Sequence, residues 1–475
     1  MVSRRGARIC AAGILGGLAL VLFLNLGSNT LGRISEQRCV MVVRGMVASG
    51  DWLVPRLGNA VRLQKPPLFY WIGSATATLL GDTGPTAVRL PSALATLALV
   101  ALVMRWGTTL GGSGLGITAG AALAAMLQLT TSGRRGDAEM LLALLCVAAL
   151  VVFDRLHATR RRALLPLFGV VGGLAFLTKA TAVILVVALP ILAFLALQRE
   201  LRRLRDPGVL GACALALAIG LSWYAAIFAL VPGAFETLWH DLILPLGGSP
   251  SRAGDSAHFR PVWWYVSTLP TRAAPASLLL PIAIWRLWTT RLYRSEPRLR
   301  FAALAFVVPL VAFSLLPQKQ KHYTLVMLPG LALVSAEAVR ALAPRARAWL
   351  ARVAGTPLAL AGLGGTALLA LFFVWIEGQS PLGVAAGAAV LGGLFAFALV
   401  SALRGGAAPF AYAWLPAFLL ALALLRGAID VRVAYVTAVG LDGLSLDEKE
   451  RLYRVAREQP WFIDVFQLTA GPESD

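Results

Sequence analysis

The chain has 475 residues, of which 58% are hydrophobic and only 14% are charged, and its mean hydropathy is +0.75. A soluble domain of this composition would expose large apolar patches, so the sequence excludes a single soluble core and predicts a protein whose solvent is the lipid bilayer. The formal net charge of +20 suits either a nucleic-acid-binding protein or a membrane protein with basic loops, and the positions of the arginines decide between them.

Apolar runs separated by basic loops predict the membrane spans. About 20 apolar residues cross the hydrocarbon core as a helix, and helices are the spanning element for runs this long. The first run follows a basic N-terminus and has no small-x-small cleavage site after it, so we expect it to be retained as an anchor. About thirteen spans are predicted, at residues 9–27, 85–105, 113–132, 138–154, 163–178, 181–198, 208–231, 266–285, 301–317, 323–341, 355–375, 381–403 and 408–426.

The basic loops all fall on one side of this predicted topology. Four arginine-rich loops, at residues 155–162, 199–205, 286–300 and 340–352, lie on the same side as the basic N-terminus. The positive-inside rule places that side in the cytoplasm. Most of the positive charge therefore sets the topology, and nucleic-acid binding loses its support.

Two long loops, two short turns and a C-terminal tail are predicted on the opposite, outer side. They are residues 28–84, 232–265, 133–137, 318–322 and 427–475. Cations in these segments run against the topological rule, so they indicate an anionic ligand at the outer membrane boundary. We therefore predict one transmembrane domain, residues 1–426, whose two long outer loops form the active-site face, followed by a small outside domain formed by the tail.

The first long outer loop contains a rigid motif, Lys65-Pro66-Pro67, followed by Tyr70 and Trp71. The two prolines fix the backbone and remove two N–H donors, so the lysine is held on a stiff corner. The two aromatic residues suit the membrane interface. A rigid ammonium beside interfacial aromatics suits a lipid-linked phosphate, and the alternative is a lysine that only snorkels to the interface.

Longer stretches of the chain resemble a known family. In chain order they are "SEQRCVMVVRGMVASGDWLVPRLGNAVRLQKPPLFYW", "AVRLPSALATL", "GRRGDAEMLLALL", "GLAFLTKA", "HFRPVWWY" and "QKQKHYTLVMLPGLAL". Together they resemble the bacterial aminoarabinose transferases that modify lipid A, and their wider kin, the dolichyl-phosphate-mannose-protein mannosyltransferases. Because these are multi-spanning C-type glycosyltransferases, the resemblance implies an all-α polytopic membrane protein with the C-type glycosyltransferase fold.

The resemblance also implies an activity. The expected protein is an inverting glycosyltransferase of the bacterial inner membrane that moves a sugar from a polyprenyl-phosphate carrier to an envelope acceptor on the periplasmic face. Transfer of aminoarabinose to lipid A phosphate is the leading expectation, and mannosyl-type transfer to protein or to another envelope glycan is the alternative. The expected partners are the lipid-linked donor, the lipid A or other envelope acceptor and the bilayer, with no nucleic acid.

Five residues match positions that the resemblance assigns to the carrier phosphate or to its neighbourhood. Lys65, Lys319 and Tyr323 are the main candidates, and Arg38 and His322 are secondary candidates. When the sugar leaves its carrier, negative charge grows on the phosphate, so cations already fixed in place stabilise the transition state more than the ground state.

Two carboxylates are the candidate catalytic groups. Glu36 matches the second acid of the family's Asp-Glu pair, and Asp137 matches an acid of the second outer turn; either can take a proton from the acceptor or steady a positively charged sugar. Ser35 stands at the first acid of the pair and Gln64 at the Glu before Lys-Pro-Pro. Serine is no base near neutral pH without an activator, so these departures favour an acceptor that is already anionic. They also leave open a relative that binds the lipid-phosphate sugar but does not transfer it.

Several alternatives stay open at this stage. Asp137 can instead form a structural ion pair with Arg134 or Arg135, and Lys179 is expected to anchor a tight outer turn between two spans. The motifs require no cofactor. A divalent metal held by outer-loop residues is the open alternative, and its candidate ligands are His240, Asp241, Asp255 and His258.

A transporter or lipid flippase is the competing class of protein. It predicts weak inverted repeats and charged residues near the middle of the membrane. The sequence shows neither, since the charges that topology does not explain cluster in outer loops and at the ends of spans.

Overall fold

The computed structural model describes residues 4–24, 26–27, 34–58, 60–239, 259–289, 296–375, 381–406, 414–422 and 424. Most of these residues are helical, and their one sheet is a two-stranded hairpin. A helix satisfies its backbone hydrogen bonds within its own segment, which is what crossing a bilayer requires.

The elements are numbered here in chain order. The α-helices are α1 (Arg4–Phe23), α2 (Ile34–Ser49), α3 (Leu68–Leu80), α4 (Pro85–Gly111), α5 (Ser113–Ala125), α6 (Leu127–Gly133), α7 (Glu139–Thr159), α8 (Leu164–Val183), α9 (Leu189–Leu197), α10 (Pro207–Leu230), α11 (Ala234–Leu238), α12 (Trp264–Arg272), α13 (Leu280–Thr289), α14 (Pro297–Leu315), α15 (Leu328–Ala341), α16 (Pro344–Leu350), α17 (Thr356–Trp375) and α18 (Pro381–Leu403). The hairpin pairs β1 (Arg56–Leu57) with β2 (Ala60–Val61). Short 3₁₀ segments are Leu201–Arg205, Ala276–Leu279 and Lys321–Met327, and π segments are Ile184–Ala188 and Ala351–Gly355.

Within the described residues, eight helical segments are long and apolar enough to cross a membrane, or nine if the bent pair α5–α6 is one span. The eight are Arg5–Phe23, Pro85–Gly111, Glu139–Thr159, Pro207–Leu230, Pro297–Leu315, Lys321–Ala341, Pro344–Leu371 and Val384–Leu403. The predicted all-α, multi-pass membrane fold is confirmed. The number of about thirteen spans stays a prediction, as does the small domain at 427–475, which lies outside the described residues.

The first outer loop contains more regular structure than the sequence predicts. Residues 34–49 form α2 and residues 68–80 form α3, where an irregular loop was expected. At 13 residues, α3 is shorter than the roughly 20 residues that identify a span. In α2 the apolar residues share the helix with Glu36, Arg38 and Arg44, so no continuous apolar run marks it.

The predicted span at 113–132 is broken. The axes of α5 and α6 differ by 68°, and the break at Met126 has an extended backbone. The Leu127 N–H donates to the Ala274 carbonyl at 2.9 Å, and the buried Gln128 side chain donates to the Lys321 carbonyl at 3.1 Å. The first bond satisfies a backbone N–H that an unbroken helix would satisfy itself, and the two bonds together fasten α6 to the segments after α12 and after α14.

Tryptophan side chains fix the shape of the first outer loop. The Trp71 indole N–H donates to the Trp52 carbonyl at 2.6 Å, and the Trp223 indole N–H donates to the Leu53 carbonyl at 2.9 Å. Asp51 Oδ1 accepts from the Leu53 N–H at 3.0 Å and closes a local turn. Residues 51–53 are thereby attached to both α3 and α10, which holds the Lys-Pro-Pro corner in place.

Candidate active site

A buried ion pair joins α2, α4 and the turn between α6 and α7. Glu36 is 2% exposed, and its Oε1 accepts from Arg89 Nε at 2.7 Å and from the Gly136 N–H at 2.8 Å. Arg89 also donates to the Leu26 carbonyl at 3.0 Å. Charges out of water persist when they are paired and hydrogen-bonded, as here. The geometry of Glu36 is that of a positioning residue for the turn that carries Asp137, and its predicted catalytic role stays a prediction.

Glu36→Gln is expected to destabilise the protein by about 3–5 kcal/mol, because it leaves the Arg89 charge buried without its partner. Thermal unfolding of the purified protein in detergent measures the change. Adding Arg89→Gln to that variant is expected to restore part of the loss, since the uncompensated charge is then removed. Unchanged unfolding together with abolished activity would instead give Glu36 the catalytic role predicted from the sequence.

Asp137 lies in the same turn, almost fully buried. The Ser92 hydroxyl donates to the Asp137 carbonyl at 3.0 Å, and the Glu139 N–H donates to Asp137 Oδ1 at 3.2 Å. Burial and the nearby Glu139 carboxylate raise the pKa of Asp137 to about 6, against the opposing charge of Lys65. A carboxylate with that pKa is ionised at neutral pH and accepts a proton more readily than an ordinary aspartate.

The two arginines beside Asp137 have different environments. Arg134 is 7% exposed, and its guanidinium donates to the carbonyls of Val21 and Leu22 at 2.8 and 3.1 Å, at the C-terminal end of α1. A cation is favourable at that end of a helix. The charge of Arg135, in contrast, acts on Asp137 and favours its ionised form. Of the two, Arg134 therefore fastens α1 to the turn.

Lys65 is partly buried at the corner that the prolines fix. Burial opposes its charged form, but the acidic groups around it, Glu139 first and then Cys39, Tyr70 and Asp137, outweigh that effect and hold the pKa of Lys65 above its ordinary value. None of the described residues accepts a hydrogen bond from its Nζ or forms an ion pair with it. Lys65 is therefore charged at neutral pH and has donors available for a ligand.

Glu139, at the start of α7, is the centre of a second set of contacts. Lys179 Nζ lies 3.1 Å from Glu139 Oε1, and His322 Nε2 lies 3.4 Å from the same oxygen. The Lys179 ammonium is also 4.7 Å from the centre of the Tyr323 ring. Lys179 interrupts α8 with φ −166° and ψ 92°, so the helix is broken where the sequence predicts a turn.

Lys319 and Arg38 lie apart from these contacts. Lys319 is 3% exposed, and its ammonium donates to the Arg260 carbonyl at 3.0 Å and to the Leu316 carbonyl. It thereby holds residues 259–260 against the segment after α14. Arg38 is exposed, two residues from the buried Glu36 and thus on the other face of α2. Their predicted roles at the phosphate stay predictions.

We call Lys65, Asp137, Glu139, Lys179 and His322 the charged cluster. Sequence reasoning selected Lys65, Asp137 and His322 for the site, treated Lys179 only as a turn anchor and missed Glu139. Lys179 and Glu139 could have been selected from the sequence. Each is an ionisable residue at the end of an apolar run, where a charge is costly and needs a partner. The structure shows that each is the other's partner.

Metal binding was the other open question about this face. Across the residues that the structure describes, no group of three His, Cys, Asp or Glu side chains is placed to hold a metal ion. The four residues considered as ligands, His240, Asp241, Asp255 and His258, lie outside the described residues.

Comparison with known proteins decides the family. A family profile described as dolichyl-phosphate-mannose-protein mannosyltransferase matches residues 64–224. The undecaprenyl phosphate-alpha-4-amino-4-deoxy-L-arabinose arabinosyl transferase of Pectobacterium carotovorum subsp. carotovorum is 31% identical over 435 residues, covering 87% of this chain and 74% of that protein. The chain belongs to this arabinosyl transferase family. Another member, from Sodalis glossinidius, is 31% identical over 82% of this chain and 72% of its own length.

The fold agrees with the family. The crystal structure of ArnT from Cupriavidus metallidurans bound to undecaprenyl phosphate superposes with a TM-score of 0.71 and 20% identity, covering 92% of this chain and 80% of that one. The C-type glycosyltransferase fold expected from the sequence is thereby confirmed. Four of the five residues of the charged cluster lie within the region that the mannosyltransferase profile matches.

Proposed function

We propose that this arabinosyl transferase family member is an inverting glycosyltransferase that moves 4-amino-4-deoxy-L-arabinose from undecaprenyl phosphate to a phosphate of lipid A. The relatives' names state the donor. The observation that carries the proposal in this chain is Lys65, a charged lysine with unused donors on a rigid corner, whose charge acts on the buried carboxylate of Asp137.

The transfer breaks the bond between the anomeric carbon and the carrier phosphate oxygen. In our proposal the Lys65 ammonium donates to that phosphate and stabilises the negative charge that it gains as it leaves. The acceptor oxygen attacks from the opposite face of the sugar, so the configuration inverts. Where the acceptor carries a proton, Asp137 receives it, because its carboxylate is ionised at neutral pH.

The other residues of the charged cluster support Lys65 and Asp137. Glu139 holds Lys179 and His322 on its carboxylate, and its charge raises the pKa of both Lys65 and Asp137. We propose that Tyr323, which packs against His322 and Lys179, lines the same phosphate-binding region.

We also propose the bacterial inner membrane and a periplasmic active site. The charged cluster is at the end of α7 and α8 opposite to the arginines of residues 160–162 and 199–205. The positive-inside rule places those arginines in the cytoplasm, so the cluster faces the periplasm. That is the side from which lipid A phosphates are accessible.

Mannosyl-type transfer to a protein or glycan hydroxyl is the second candidate. The region that the mannosyltransferase profile matches includes Lys65, Asp137, Glu139 and Lys179, which supports a similar donor site for both candidates. They differ in the acceptor. A hydroxyl must lose its proton, and Asp137 then becomes indispensable as a base.

The test uses the full chain reconstituted in lipid vesicles. One reaction contains undecaprenyl phosphate-linked aminoarabinose and lipid A, and a parallel reaction contains a polyprenyl-phosphate mannose and a hydroxyl acceptor; mass spectrometry of the products detects transfer. The proposal expects a pentosamine-sized addition to lipid A that depends on the protein. Transfer only from a polyprenyl-phosphate mannose to a hydroxyl acceptor would replace it with the second candidate, and turnover of neither donor would contradict both.

A further inference from the structure

A cavity of about 660 Å³ lies between α7, α8, α9 and α10, outside the charged cluster. Its wall is apolar and includes Phe153, Leu165, Phe176, Ile191 and Leu195. Apolar space of this kind within a membrane protein is filled by hydrocarbon, because water there has too few polar partners.

The dimensions of the cavity match one leaflet of a bilayer. On the part of α8 that precedes the break at Lys179, its wall extends from Leu165 to Phe176, which is about 16 Å at 1.5 Å per residue and roughly half of the hydrocarbon core. The cavity is also open from the side. The wall residues Ile184, Leu192 and Leu217 are 53%, 38% and 51% exposed, so acyl chains of the surrounding lipid have direct access.

The mouth of the cavity is basic and lies at the arginine-rich end of the helices. Arg160, Arg162 and Arg203 line it together with His157 and Asp206. Asp206 is the one carboxylate among these lining residues and pairs with Arg162 at 2.9 Å, so the three arginines leave an excess of positive charge.

A second carboxylate, Glu200, lies beside the mouth without lining the cavity. It accepts from both His157 and Arg203, while Arg160 lies 3.7 Å from it and is half exposed. The Arg160 guanidinium therefore keeps donors for a further anion.

We propose that this cavity binds an anionic phospholipid of the leaflet at the arginine-rich end, with its acyl chains in the cavity and its phosphate on Arg160 and Arg203. Basic pockets between helices on the cytoplasmic side favour anionic head groups. The tail of a polyprenyl carrier held at the charged cluster would enter from the opposite end and would need no cations at this mouth. The site is thus separate from the donor site of the proposed function.

The test is native mass spectrometry of the full chain in detergent, titrated with phosphatidylglycerol or with phosphatidylcholine of the same acyl chains. One phosphatidylglycerol is expected to bind at least tenfold more tightly than phosphatidylcholine. Arg160→Gln is expected to weaken phosphatidylglycerol binding about fivefold. Arg202→Gln is the matched control, because Arg202 is an exposed arginine on the neighbouring 3₁₀ segment that does not line the cavity, and it should change binding less than twofold.

Three results would overturn the proposal. Equal affinity for the two lipids would exclude head-group recognition. An equal loss of phosphatidylglycerol affinity in Arg202→Gln and Arg160→Gln would show that the lipid is attracted by the positive charge of the whole surface and not by a site at Arg160. Displacement of phosphatidylglycerol by undecaprenyl phosphate, with that displacement lost in Lys65→Ala, would assign the cavity to the carrier tail. Thermal unfolding of each variant, expected to be unchanged for these exposed arginines, separates binding from misfolding.

Discussion

Replacing Lys65 by alanine is expected to lower sugar transfer by about 100- to 1,000-fold, the usual cost of removing one preorganised donor from a developing anion. The protein should still insert and fold, because the described structure gives the Lys65 ammonium no hydrogen bond or ion pair to lose. Steady-state transfer in vesicles and thermal unfolding in detergent measure the two effects separately. Most of the loss is expected in kcat, since the carrier phosphate gains its charge in the transition state.

Lys321→Ala is the matched control for that experiment. Lys321 is an exposed lysine next to His322; its backbone carbonyl accepts from the Gln128 side chain, and the described structure gives its ammonium no hydrogen bond or ion pair. Its replacement should change transfer less than twofold. Lys65→Arg should keep part of the activity, because it retains the positive charge but holds it at a different distance from the backbone. Normal transfer in Lys65→Ala would remove the Lys-Pro-Pro corner from the active site and contradict the mechanism.

Asp137→Asn is the second change with a large expected effect, a loss of about 100- to 10,000-fold in transfer to an acceptor that carries a proton. Asparagine keeps the oxygen that accepts from the Glu139 N–H, so the turn should persist. In the unmodified protein the rate should fall as the pH drops through about 6, because Asp137 is then protonated and can no longer accept a proton. The variant should lack that step in its pH profile.

Asp51→Asn provides the control for Asp137. Asp51 also accepts backbone N–H bonds through Oδ1 in an outer loop, but it lies in a turn held by Trp71 and Trp223 rather than in the charged cluster. The Asp51→Asn variant should keep both the transfer rate of the unmodified protein and its fall in rate near pH 6. Full activity of Asp137→Asn with lipid A would show that an anionic phosphate acceptor needs no base, and the base role of Asp137 would be withdrawn.

The spans were the most predictable part of this molecule. A run of apolar residues with basic ends is a local signal, and the predicted span at 138–154 agrees with α7 within a few residues at each end. The helices α2 and α3 could not be predicted in the same way, because one is interrupted by charges and the other is too short to be a span. Their packing depends on the rest of the bundle.

Candidate site residues could be selected only where a motif or the family resemblance marks them. Lys65 was selected from the Lys-Pro-Pro motif and Asp137, 72 residues further along, from the resemblance, and their roles stay predictions. The pairing of Glu139 with Lys179, 40 residues apart, and of Glu36 with Arg89, 53 residues apart, is tertiary and has no local signature. Pairings of this kind decide whether an acid is available for chemistry or committed to the fold, which is why Glu36 and Asp137 look equivalent in the sequence and differ in the structure.

Transfer of aminoarabinose to lipid A is tested most directly by mass spectrometry of lipid A from the host after deletion of this gene and its restoration with either the unmodified sequence or Lys65→Ala. We expect a pentosamine-sized addition to lipid A that disappears on deletion, returns with the unmodified gene and stays absent with Lys65→Ala. A lipid A spectrum that is the same in all four strains would contradict the assignment of lipid A as the acceptor.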